Sequence, residues 1–408
     1  MTDAHRAAEQ AARASYGRLV AYLSSRSRDV AAAEDALGEA FRAALERWPR
    51  DGVPDNPEAW LLTAARSRLI DRARRAAVRA DAEPTLRLLT DEMREPSRGA
   101  EIPDDRLRLL FICAHPAIDA EVRTPLMLQT VLGLDAARIA SAFCVAPATM
   151  AQRLVRAKAK IRVAGIAFEL PDPRELPARL DAVLEAIYAA YGAGWDDAAG
   201  VDPRLRGLSE EAIWLARLVV QLMPDEPEAR GLLALMLHCE ARRPTRRGPV
   251  GEYVPLSEQD VARWSGPMIE EAEAQLGLAA RAKRPGRFQL EAAIQSVHAH
   301  RAVTGRTEWE EAALLYEELV RVAPTLGAFV GRAAALGSAR GPAVGLTALA
   351  AIAPESVVSY QPYWAVRAHL LGALGRTEEA CDAYARAIGL CEDEPVREFL
   401  ISRSRALG

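Results

Sequence analysis

Lysine is almost absent from this 408-residue chain: there are three, against many arginines and alanines. That imbalance reflects a GC-rich coding bias and carries no functional weight. Cysteine is scarce as well. Cys113, Cys144, Cys239, Cys381 and Cys391 are widely spaced and form no C-x-x-C pair. This excludes a disulfide framework and a cysteine zinc site, and fits a reduced, cytoplasmic protein. The six histidines show no metal-ligand spacing, so no metal is expected. His298 and His300 lie two apart on a predicted helix and point to different faces. No run of about 20 apolar residues exists, so no membrane span is expected. The N-terminus lacks the apolar core of a signal peptide. No G-x-S-x-G, P-loop or dinucleotide fingerprint appears, and no cofactor is expected. The absences together argue against an enzyme. His115, before Pro116, reads as a helix-end residue, and Cys144 as a small buried packing residue rather than a redox sensor.

What is present is helical. With 50% hydrophobic residues the chain can bury two or three cores. Apolar residues recur at helical spacing and β-type alternation is nearly missing, so the fold class is all-α. Residues 5–79 form a first helical block. Asp29–Pro49 places Ala36, Leu37, Ala40, Phe41, Ala44, Leu45 and Trp48 on one face. Pro49–Pro57 reads as a loop, because three prolines and a glycine do not continue a helix. The helix that follows from Glu58 carries Arg66, Arg68, Arg72, Arg74, Arg75 and Arg79 against Asp71. Residues 80–105 are acidic and Pro-containing and read as a linker. Residues 106–165 form a second helical block, and 166–178 a Pro-rich hinge. Residues 179–408 form a third region with an internal repeat. Ala312 and Ala380, and Tyr316 and Tyr384, are each separated by twice the 34-residue tetratricopeptide (TPR) period. This region is expected to be a TPR-like α-solenoid.

Charge is the sharpest signal. From Arg138 to Arg162 stand six basic residues (Arg138, Arg153, Arg156, Lys158, Lys160, Arg162) and no acidic one, in a chain of net charge −4. Leu134–Arg162 reads as a helix, a turn and a basic helix, the geometry that places side chains in a DNA major groove. DNA contact should therefore be local.

The order of these parts resembles the extracytoplasmic-function (ECF) class of bacterial sigma factors, in the sigma-70 family. Asp35-Ala36-Leu37-Gly38-Glu39-Ala40-Phe41, then Trp48, is similar to the family's region 2.2. Pro57-Glu58-Ala59-Trp60-Leu61, through Ala64-Ala65-Arg66 to Ile70-Asp71 and Arg74-Arg75, resembles regions 2.3 and 2.4. Gly133-Leu134, Ile139-Ala140, Ala148-Thr149-Met150, Arg153-Leu154 and Arg156-Ala157-Lys158 resemble region 4.2. The resemblance covers about residues 10–165. It implies a region-two domain at 5–79, and within 106–165 a helix-turn-helix region four. The partners it implies are core RNA polymerase, through the β′ clamp helices and the β flap, and promoter DNA.

Residue by residue, Asp35, Glu39 and Arg42 are expected to hold the polymerase. Arg50, Asp55, Asn56, Trp60, Arg66, Arg68, Arg72, Arg74 and Arg75 are expected at the −10 element. Thr149, Gln152, Arg153, Arg156 and Lys158 are expected at the −35 element. Gly38, Ser67, Arg138 and Ala151 depart from the family's usual residues, which bears on the promoter sequence read rather than on the role. The acidic linker suits either of two roles: lying in the positively charged polymerase channel, or simply staying solvated.

The remaining chain resembles one subgroup of these factors. The carriers are Leu109–Ala117, Ala151–Lys158, Leu222–Ala229, Gly231–Leu237, Ala241–Pro244 and Gln289–Ile294. Tyr188–Trp195 departs from the subgroup's usual run. That subgroup has a TPR-like C-terminal domain in place of a dedicated anti-sigma factor. The resemblance implies that residues 179–408 regulate or support activity and offer a surface for a protein or peptide partner. The rival is a TPR-containing helix-turn-helix regulator that binds an operator without core polymerase. Residues 29–79 separate the two, since such a regulator needs neither the region 2.2 pattern nor a base-capturing loop. A pure scaffold leaves the basic helices unexplained.

Overall fold

A computed structural model describes residues 3–80, 104–196 and 207–407. Most of the acidic linker, residues 81–103, lies outside the described residues. The fold is all-α, with no strand among the described residues. The chain forms two compact units, residues 1–192 and 193–408.

The first unit opens with α1 (Asp3–Ser27), α2 (Val30–Asp51) and α3 (Pro57–Ala80). Arg28, at φ 55°, breaks the chain between α1 and α2. Asp29 then caps α2 by accepting the Ala32 amide at 3.0 Å. The buried stripe of α2 runs Val30, Ala33, Leu37, Ala40, Ala44 and Trp48, at helical spacing. Leu45, expected on this face, is instead 43% exposed. Helix α2 also runs two residues past Pro49, into the expected loop, and stops at Gly52 with φ 86°. A proline in the last turn removes one hydrogen bond and still allows the helix to finish. Leu61, Leu62, Ala65 and Leu69 of α3 face this core, and Trp60 meets Trp48 edge-on at 5.5 Å.

The chain resumes with α4 (Arg106–Cys113), α5 (Ala120–Thr130), α6 (Ala136–Ala142), α7 (Pro147–Val163) and α8 (Pro177–Asp196). After α4, His115 accepts the Ala117 amide through Nδ1 at 3.0 Å, which closes the turn. Asp135 caps α6 by accepting the Arg138 amide at 2.9 Å. The corner between α6 and α7 turns on Cys144, at φ 52° and exposed. The expectation of a buried packing cysteine is therefore corrected. The tight corner puts this residue in a left-handed conformation on the surface rather than between the helices. Pro147 starts α7, which buries Met150, Leu154, Ala157 and Ile161.

Two boundaries differ from the sequence reading. The blocks 5–79 and 106–165 pack as one unit, not two. The expected hinge at 166–178 is packed as well: Phe168 and Leu176 are buried, and Arg179 donates to the Phe111 carbonyl at 3.2 Å. The unit closes near Gly192 rather than at residue 178.

The second unit contains α9 (Leu208–Leu222), α10 (Pro227–Ala241), α11 (Gly266–Ala280), α12 (Arg287–Ala299), α13 (Arg301–Thr304), α14 (Trp309–Val322), α15 (Leu326–Arg340), α16 (Pro342–Ala350), α17 (Pro354–Val357), α18 (Gln361–Ala373), α19 (Thr377–Gly389) and α20 (Glu394–Arg405). Helix α10 is buried nearly all round, so it is the centre on which α11 and α12 pack. Gly231 permits this. A Cβ there would lie 2.6 Å from the Gln289 amide nitrogen, backbone against backbone. Glu228 of α10 caps α12 from outside, accepting the Phe288 and Gln289 amides at 2.9 and 3.1 Å. Further along, Ala312 and Ala380, the repeated small residues, are both fully buried. A cavity of about 510 Å³ is lined by Ile352, Val357, Trp364, Arg367, Glu379 and Arg386.

Burial pushes the imidazoles of His238 and His298 down to about 4, with Arg242 adding to the effect in both. Glu273, whose Oε1 stands 3.4 Å from His238 Nε2, opposes it only in part. Both rings are therefore neutral in the folded chain. Below the ordinary histidine value of about 6.5, the unfolded chain takes up protons that the folded chain refuses. Stability should fall as pH drops from about 6.5 towards 4, with each histidine adding up to about 1.4 kcal/mol per pH unit. Urea unfolding across that range should show a shallower slope for His238→Phe with His298→Phe. An unchanged slope would overturn the assignment.

Candidate nucleic-acid interface

Two helices, α2 and α3, and the loop between them carry the expected site residues of the first segment. Asp35 and Glu39, one turn apart on α2, are exposed and face α3. There Arg72 donates to Asp35 at 3.0 Å, and Arg68 lies 3.4 Å from Glu39. Arg42 is exposed on the same helix. The expected polymerase-binding acids and two of the expected DNA-binding arginines are thus paired with one another. Exposed pairs of this kind contribute about 0–1 kcal/mol and exchange readily for other partners.

The other residues divide by what they touch. Arg66 turns back to α1, donating to the Tyr22 hydroxyl with its guanidinium 5.0 Å from the Tyr22 ring centre. Arg74 and Arg75 are exposed. Asn56 accepts the Ala59 amide at 3.0 Å and so caps α3. Trp60 is half-buried against Trp48. Arg50 and Asp55 stand exposed on either side of Gly52. The arrangement is a short loop beside a helix rich in guanidinium groups. Such groups bind phosphate oxygens through charge-assisted hydrogen bonds.

Helix α7 presents a second face. Met150, Leu154 and Ala157 point inward, which leaves Thr149, Gln152 and Arg156 exposed. Arg153 is half-buried, with Glu121 at 3.7 Å. Val155, not among the expected site residues, is 64% exposed in the middle of this face. An apolar residue open to water between two arginines was the signal that could have found it. Lys158 does not share the face. Only 11% exposed, it points its Nζ at Glu34 Oε2 (2.5 Å) and Gln129 Oε1 (3.0 Å). Arg162 pairs with Asp29 at 3.1 Å. Burial raises the Glu34 carboxyl above its usual range and Lys158 pulls it back. Cys113, sealed in the core, is pushed up to about 12 by burial and is no nucleophile.

Among the described residues no group of three histidine, cysteine or acidic side chains could hold a metal ion. No described helix is long and apolar enough to cross a membrane.

Comparison with known proteins agrees with this layout. Residues 12–79 match the sigma-70 region 2 family, and residues 179–280 match a family of unknown function (DUF6596). No solved structure matches. A sigma-70 region 2 domain implies binding to core RNA polymerase and promoter DNA, and supports a sigma-factor-like role in transcription initiation. An uncharacterized protein of Rhizobium meliloti (strain 1021) is 41% identical over 382 residues, covering 92% of this chain and 88% of that protein. The chain belongs to the same family as this rhizobial protein, and its residues 12–79 are a sigma-70 region 2 domain.

Proposed function

We propose that this protein is an ECF-type sigma factor of the cytoplasm that directs core RNA polymerase to promoters and carries a TPR-like regulatory extension. The observation that carries the reading is a sigma-70 region 2 domain followed, in one chain, by a helix–turn–helix segment with an exposed basic reading face. On this reading Asp35, Glu39 and Arg42 dock on the β′ clamp helices. Docking draws Asp35 and Glu39 away from Arg72 and Arg68, so the same event that seats the polymerase releases two guanidinium groups towards DNA phosphates. The loop from Arg50 to Asn56, beside Arg66–Arg75, receives unstacked bases of the −10 element.

Helix α7 reads the −35 element in the major groove. The Gln152 amide suits the N6 and N7 edge of adenine, and Val155 the methyl group of thymine. Arg153 and Arg156 suit guanine edges or phosphates. The protein performs no covalent chemistry of its own. The second unit supplies control. Its cavity, with an indole, an apolar floor and the Arg367 and Arg386 guanidinium groups, offers a docking place for a peptide partner.

Gel filtration with bacterial core polymerase at moderate salt should show co-elution of the wild-type chain and its loss in Asp35→Arg with Glu39→Arg. Failure to co-elute, with tight duplex binding by the free chain, would instead point to an operator-binding regulator. In a promoter-run-off assay, Arg153→Ala with Arg156→Ala should abolish specific initiation while co-elution with core polymerase persists. Unchanged initiation would remove α7 from the reading role.

A further inference from the structure

We infer that the second unit holds a binding site for the phosphoryl group of a small anionic molecule, built from Arg242, Arg247 and Tyr253 beside the Trp195 indole. Helix α10 ends just before Arg242, and residues 246–254 fold back as a short hairpin. Val254 donates its amide to the Arg246 carbonyl at 3.0 Å, and Gly248 to that of Glu252 at 2.9 Å. Within the hairpin Arg247 and Tyr253 form an antiparallel bridge. Residues opposed in this way send their side chains to one face. Asp393 Oδ2 accepts from Arg247 at 2.5 Å, and Phe399 meets the Tyr253 ring edge-on at 5.3 Å, which fastens the hairpin to α20. The guanidinium groups of Arg246, Arg242 and Arg243 lie 3.9, 5.1 and 5.2 Å from the centre of the Trp195 ring.

These cations differ in what they hold. Arg243 is fully engaged by the fold, donating to Glu240 and Ser209 at 2.6 Å each and to the Gly194 carbonyl at 3.3 Å. Arg246 donates to the Trp195 carbonyl. Arg242, half-buried, has no carboxylate partner among the described residues. Its Nη2 meets only Gln295 Oε1 at 3.2 Å and Cys239 Sγ at 3.9 Å, and its Nε is buried with no partner. The charge of Arg242 also helps hold His238 and His298 neutral. Arg247 has Asp393, yet its Nη1 is likewise buried with no partner. The Tyr253 hydroxyl makes no hydrogen bond among the described residues.

A half-buried guanidinium without a counter-ion is costly, and so is each donor left unbonded away from water. An anion that accepts from Arg242, Arg247 and Tyr253 removes both costs. Three side chains with unused donors match the three free oxygens of a phosphoryl group better than the two of a carboxylate, and guanidinium groups hold such oxygens by charge-assisted hydrogen bonds. Burial raises the Tyr253 hydroxyl above its ordinary value against the pull of Arg246, Arg242 and Arg247, so the phenol keeps the proton it would donate. The Arg247 side chain is only 16% exposed, so a small molecule reaches it where the surface of a folded partner does not. The bound group joins the end of α10 to the hairpin held on α20, and stabilises the second unit by mass action.

The site does not depend on what the first unit binds, so it is tested on the full chain without polymerase or DNA. Isothermal titration with inorganic phosphate, near neutral pH and at fixed ionic strength, should show saturable binding, with acetate weaker by about tenfold or more. Arg242→Gln and Tyr253→Phe should each weaken phosphate binding by about tenfold. Arg153→Ala with Arg156→Ala should leave it intact, which separates the site from phosphate held on the basic face of α7. Phosphate should raise the urea midpoint of the wild-type chain and leave that of Arg242→Gln unmoved. Without phosphate, Arg242→Gln should match or exceed the wild-type midpoint, because it removes a cation that lacks a counter-ion. Absence of saturable binding, or binding unchanged by both single substitutions, overturns the site. So does an Arg242→Gln chain whose midpoint falls while its response to phosphate persists, which marks an arginine that only holds the fold. Acetate bound as tightly as phosphate overturns the phosphoryl assignment.

Discussion

The buried Lys158–Glu34 pair is the constraint on which the first unit depends. Two charges taken out of water are tolerated only when each answers the other, and removing one strands its partner in a low dielectric. That requirement fixes the rotation of α7 about its own axis. With Lys158 turned to α2, the stripe of Met150, Leu154 and Ala157 falls on the core, and Gln152, Val155 and Arg156 face water. The pair thus determines which side chains of the basic helix are available to a nucleic acid. It also makes α2 a shared element. One turn carries Glu34 against α7 and Asp35 against Arg72 of α3.

The second unit is organised differently, around packing rather than charge. Helix α10 contributes a nearly continuous apolar cylinder, and Gly231 lets α12 approach its backbone. The amides at the start of α12 find no partner in their own capping residue, Gly286, and take Glu228 from α10 instead. A helix capped by its neighbour cannot shift along it without losing those bonds, so burial and capping hold the same register. The buried histidines sit in this packed interior. Burial there holds both imidazoles neutral, so acid acts on them by favouring the unfolded chain.

Much of the fold was legible in the chain. The all-α class followed from apolar periodicity, and the stripe on α2 was read correctly apart from Leu45. The basic bias of 138–162 found α7, and the acid-and-arginine pattern of 35–75 marked the segment that matches sigma-70 region 2. What the chain did not disclose is which partners its polar side chains take within the fold. Asn56 caps α3, Arg66 lies on Tyr22, and Lys158 is buried against Glu34. Each of these side chains is polar and could satisfy itself in water, on DNA or within the protein. Only knowledge of what lies across from it decides among the three.

Local and periodic physics belongs to the sequence by itself: which segments are helical, which stripe of each is apolar, where like charge accumulates, and that Ala312 and Tyr316 recur as Ala380 and Tyr384 at twice 34 residues. These depend on residues a few positions apart, whose geometry the backbone supplies. The tertiary structure alone decided that two blocks separated by an acidic stretch close into one unit, and that the segment after residue 166 packs instead of flexing. It also decided that Gly17 is needed where α1 meets the end of α5. Those outcomes turn on contacts between residues far apart in the chain, such as Gly17 with Val131, Glu34 with Lys158 and Arg179 with Phe111. No local propensity encodes them, because the energy of each contact exists only once both partners are in place.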